Sequence, residues 1–173
     1  MDGFTLRHLT LAVALSTSMG TAFAATSNDF VDKAAAGGIA EVETSRLALE
    51  KSSSADIKAF ANMMITDHSK ANDELAALAK KHDIEVPDST TIVKQAKEKI
   101  LDLRDESFDA AYANNQVKAH EDTIELFKKE ANTVTDDKTK GATDLKGFAQ
   151  KMLPALEKHL QMAKKLQAAH PDK

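Results

Sequence analysis

The chain contains no cysteine. That absence excludes disulfide staples, a lipid-modified cysteine and thiolate metal ligands, so any metal site must use imidazole and carboxylate. With six glycines and three prolines among 173 residues, breaks are few. No glycine-rich phosphate loop occurs, no stretch alternates as a strand would, and no internal repeat appears. Acidic residues outnumber basic ones, for a net charge of −4, and the two signs are interspersed. Without a basic patch, nucleic acid is not an expected partner.

The N-terminus stands apart from the rest. Arg7 precedes an apolar run from Leu9 to Leu15, and Ala22-Phe23-Ala24 has the small-x-small form of a cleavage site. This is the anatomy of a secretory signal peptide, too short to span a membrane. The expected division is a leader over residues 1–24, cleaved after Ala24, and one domain over 25–173. The expected location is the periplasm, with no integral membrane span once the leader is gone. Arg7 and Asp2 leave together, so the charge stays at −4.

What remains is helical in pattern. Ser27 or Asn28 caps a first helix, expected over 28–52, whose interior carries Gly37-Gly38. Each interior glycine costs roughly 0.5–1 kcal/mol relative to alanine, so close packing against a neighbour is expected there. Ser52-Ser53-Ser54 ends that helix and starts a second, over 54–81. A loop through Pro87 leads to a short amphipathic helix with Ile92, Val93, Ala96, Ile100 and Leu103 on one side. Two more long helices follow over 107–131 and 144–168, the last with Pro154 in its interior, where a kink is expected. The fold class is all-α: an antiparallel four-helix bundle, up and down with short connections, plus a short helix before the third long one.

One polar residue on each long helix points inward. On the second helix, Ile57, Ala61, Met64, Leu75 and Ala79 all fall within about 40° of His68, so this imidazole faces the core. His120 and His159 share the apolar stripes of the third and fourth helices. Glu41 lies within about 20° of Phe30, Ala34 and Ala48 on the first. Each of the four is near its helix midpoint, and in an antiparallel bundle midpoints share one level. Three imidazoles and a carboxylate in one layer form an N₃O set suited to a single transition-metal ion, zinc, copper or iron, and poorly suited to calcium or magnesium. The competing reading is a buried His–Glu hydrogen-bond network that fixes helix register in a structural or stress-related envelope protein. Asp67 is placed either to orient a histidine of another helix or in solvent. Met64 and Met152 flank the layer as core filler or soft neighbours, and His82 and His170 read as solvated.

Several segments resemble the exported, ferritin-like family known as domain of unknown function 4142. They are Glu41-Val42 after Gly37-Gly38, Lys58-Ala59-Phe60-Ala61 before Asp67-His68, Phe108-Asp109 and Tyr112 before His120, and Leu153-Pro154 with Leu156 before His159. The resemblance spans about Phe30 to Leu166. It implies a ferritin-like four-helix bundle of the bacterial envelope and no particular activity. Di-iron carboxylate bundles place Glu-x-x-His on two helices. Three positions before the histidines stand Ile65, Val117 and Leu156, so a di-iron centre is not expected. No nucleophile–base pair marks an enzyme.

Overall fold

The computed structural model describes residues 28–94, 107–135 and 141–171. The leader expected over 1–24 lies outside the described residues. So does the expected short helix beyond residue 94, although residues 89–94 are helical. Four long helices carry the fold: α1 (Asp29–Lys51), α2 (Ala55–Lys81), α3 (Phe108–Ala131) and α4 (Ala142–Ala169). Among the described residues there is no strand.

Local chemistry sets the helix ends. The Asn28 side chain accepts from Val31 N at 3.0 Å, with Asp29 and Asp32 in the first turn, where the helix dipole favours acidic groups. Ser107 accepts from Ala110 N at 3.3 Å to start α3. Gly141 opens α4 with φ +72°, a conformation that excludes most side chains; the His82 ring also packs where its Cβ would be. Pro154 stands inside α4, which continues to Ala169.

Cross-helix contacts fix the directions. Between α2 and α4, Asp56 meets His170, Asp67 meets His159, Glu74 meets Lys151 and Lys81 meets Asp144. Between α3 and α4, Asn114 pairs with Gln167, Glu121 with Lys164 and Lys128 with Glu157. Phe30 packs on Phe127 and Ser45 bonds Tyr112 across α1 and α3. In every pair residue numbers rise on one helix as they fall on the other. Only Ser52–Ser54 separate α1 from α2, which pack along each other, so these too are antiparallel.

It follows that α2 and α3 are parallel. This corrects the expected up-and-down order with short connections: residues 82–107 join opposite ends of the stack. Each of α1 and α4 packs on both α2 and α3, which puts α2 and α3 on one diagonal. A 27-residue helix is about 40 Å long, and that is the distance the link has to cover.

The core divides in two. One cluster contains Phe30, Leu75, Ile124, Phe127, Phe148 and Leu156; the other contains Ala48, Ile57, Phe60, Tyr112, Val117 and Leu166. On α2 the boundary falls between Met64 and Leu75, on α3 between Val117 and Ile124, and on α4 between Leu156 and Ala163. His68, His120 and His159 occupy those three boundaries, and Glu41 lies in the corresponding interval of α1, between Ala35 and Ala48.

Candidate metal centre

The periodicity that buries one stripe of each helix carries the histidines inward. His68, His120 and His159 are 7%, 1% and 3% exposed. Their ring centroids form a near-equilateral triangle with sides of 5.5, 5.6 and 5.5 Å. One nitrogen from each lies within 4.8 Å of the other two, close enough that the three could hold one metal ion.

Hydrogen bonding assigns which nitrogens are free. His120 Nδ1 lies 2.8 Å from the backbone carbonyl of Gln116, which can only accept, so Nδ1 carries the proton and Nε2 the lone pair. His159 Nε2 lies 3.0 Å from Asp67 Oδ2, so Nε2–H donates and Nδ1 keeps its lone pair. His120 Nε2, His159 Nδ1 and His68 Nε2 are all buried without a hydrogen-bond partner. Such a group costs about 1–3 kcal/mol apiece and calls for an explanation when several converge.

Burial keeps the rings neutral. It pushes His68 down to about 3, helped by the neighbouring charges that His120 and His159 would carry. It pushes His120 down to about 4 against the opposing pull of the Gln116 carbonyl. His159 is also lowered, because burial outweighs the hydrogen bond it donates to Asp67. Three neutral imidazoles, two of them with the free lone pair assigned by a hydrogen bond at the other nitrogen, are in the protonation state that metal ligation requires.

Glu41 is 5% exposed, and burial raises its carboxyl to about 7, with the Gln116 amide opposing. Its Oε2, and both amide atoms of Gln116, lack a hydrogen bond of good geometry. Yet its carboxylate is not among the atoms gathered within 4.8 Å. The register of α1 on α3 sets Glu41 beside Gln116, one turn before His120.

A family model described as Domain of unknown function (DUF4142) matches residues 12–166. The chain belongs to this family. No curated protein and no solved structure matches it.

Of the residues singled out from sequence, this DUF4142 chain therefore brings the three histidines together and holds Glu41 adjacent. Asp67, for which solvent was an open alternative, bonds His159. His82 and His170 are not solvated as expected: His82 Nε2 pairs with Asp144 at 2.9 Å and His170 Nε2 with Asp56 at 3.0 Å, clamping α4 to α2 at both ends. Gln116 and Ser45 escaped the sequence reading. Ser45 bonds the buried Tyr112 hydroxyl at 2.8 Å. Spacing could have revealed both, since Gln116 stands one turn before His120 and Ser45 one turn after Glu41.

Proposed function

We propose that this is an exported, ferritin-like bundle protein of the periplasm that binds a single transition-metal ion, zinc, copper or iron, through His68, His120 and His159. The observation that carries the reading is the convergence of three buried, partnerless imidazole nitrogens whose opposite ring nitrogens, on two of the rings, are already held by Gln116 and Asp67. Ligating histidines characteristically donate their other N–H in this way. Glu41 is the oxygen donor of the set in this account: its buried Oε2 is a group that a cation would satisfy.

Support for the ferritin-like arrangement comes from the helix directions, because one long connection between parallel second and third helices is the variant that such bundles use. The leader-like residues 1–24 support export. A register-fixing network would need hydrogen bonds among these four side chains, and the three converging imidazole nitrogens and Glu41 Oε2 have none.

The test is metal analysis of protein purified from the periplasm beside a His68→Ala variant. One ion per chain in the wild type and loss in the variant is the expected result. Equal, negligible metal in both defeats the proposal.

A further inference from the structure

Beside the histidines, toward the Phe127 end of the bundle, lies a cavity of about 250 Å³. Its inner wall is apolar, formed by Leu75, Phe127, Phe148, Met152 and Leu156, and its floor includes His68 and His159. Its polar lining comes chiefly from α2 and α4: Asp67, which bonds His159, and Lys70, Glu74 and Lys151, with Glu74 and Lys151 paired at 2.7 Å. Asp67 and Glu74 are two turns apart, about 10 Å along the helix, and each takes part in an α2–α4 bridge on the cavity's lining. An apolar cavity of 150 Å³ is enough to take up benzene, so this one has room for a bicyclic ring.

The fourth wall is the Gly37-Gly38 pair of α1. The two glycines differ. At Gly38 a Cβ would overlap the Asn72 side chain, so close packing accounts for it. At Gly37 a Cβ would meet only Thr123 Oγ1, at 3.9 Å. Packing does not demand a glycine at 37. The missing side chain leaves open space shared by this cavity and a neighbouring one of about 350 Å³ that Glu41 lines.

We infer that this cavity binds a compact, largely apolar molecule of about ten non-hydrogen atoms that presents one lone-pair donor to the metal held by the histidines. The apolar body lies against Leu75, Phe127 and Phe148, and the donor enters over His68 and His159. Glu41 does not line this cavity; it lies beside Gln116 on the side of α1 that faces α3. A five-coordinate ion accommodates both donors. The donor half of this inference rests on the metal reading above; the cavity half does not.

Three probes separate the two halves: indole has the apolar body without a lone-pair nitrogen, imidazole has the donor without the body, and benzimidazole has both. Calorimetry is run on metal-free and cobalt(II)-loaded protein, with cobalt content measured on the same samples. Indole and benzimidazole should bind the metal-free form comparably, and imidazole should not bind it. Loading with cobalt should tighten benzimidazole on the order of tenfold or more, change the visible cobalt spectrum and leave indole unaffected. Gly37→Leu, which enters the cavity from α1, should abolish indole binding while cobalt content stays the same. Ala155→Leu fills the cavity from α4 and decides the matter if the first variant does not fold. Failure of wild-type protein to bind indole or benzimidazole in either form overturns the inference, as does binding that survives both substitutions. Indole binding that is lost in Gly37→Leu, in a protein that takes up no cobalt, upholds the cavity and overturns both the donor half and the metal reading.

Discussion

His159 donates its Nε2–H to Asp67 Oδ2 at 3.0 Å across the α2–α4 interface, and this bond leaves the buried Nδ1 with its lone pair and without a partner. An exposed carboxylate on one helix thus sets the tautomer of a buried ring on another. Asp67→Ala should weaken metal binding about 10–100-fold, the usual effect of removing a ligand's hydrogen-bond partner. The fold should change little, because the Asp67 side chain is 48% exposed. Competition with a chelator of known affinity checks this; an unchanged affinity would show that Asp67 does not orient the ring.

The buried nitrogen of His68 makes a second prediction, with opposite signs for the two forms of the protein. His68→Leu removes a polar atom that has no partner, so in chelator the variant should be at least as stable as wild type, by about 1 kcal/mol or more in urea. With metal present the order should reverse, since an ion at a hundred times its dissociation constant stabilises the wild type by about 2.7 kcal/mol. A variant that is less stable than wild type even in chelator would mean that the imidazole contributes to the fold itself.

Stability of the metal-free protein should fall on mild acidification. His68 and His120, held at about 3 and 4, stay neutral when folded but take up protons near 6.5 once unfolded. Their contribution is full above 6.5 and is lost as pH falls toward those values. Glu41 acts oppositely: raised to about 7, it keeps a proton that the unfolded chain releases above 4.5. Between 4.5 and 6.5 the histidines, with His159 lowered as well, outweigh the one carboxyl. The net slope is a loss of stability as pH falls, on the order of 1 kcal/mol or more per pH unit. Urea unfolding at pH 7, 6 and 5 reads it directly, and a flat or rising profile contradicts it.

The glycine pair offers a contrast within one turn of helix. Gly37→Ala should stabilise by about 0.5–1 kcal/mol through helix propensity alone. Gly38→Ala should gain less or lose, because Asn72 must move aside, and Asn72→Ala should restore the difference. Thermal unfolding of the two single variants and the double variant measures this, and equal effects at both glycines would contradict the packing described.

Most of the fold was legible because its signals are local. Asn28 and Ser107 start their helices by bonding backbone three residues on, and the 3.6-residue period that points Leu75 inward points His68 inward too. The direction of α3 was not legible. It depends on which end of the bundle the link of residues 82–107 reaches, and neither Pro87 nor the polar residues around it encode that. His82 and His170 were misread for a similar reason, since Asp144 and Asp56 are 62 and 114 residues away along the chain. Glu41 shows what depth alone leaves open: its inward face and its level were legible, whereas the Gln116 amide beside it, placed there by the register of α1 on α3, was not.

Whether three histidines share one ion is read by X-ray absorption at the edge of the bound metal. The expected spectrum has a scattering shell of nitrogen or oxygen near 2.0–2.1 Å that includes three imidazole rings, falling to two rings in His120→Ala. A spectrum with fewer than three imidazoles in the wild type, or one that His120→Ala leaves unchanged, would contradict it.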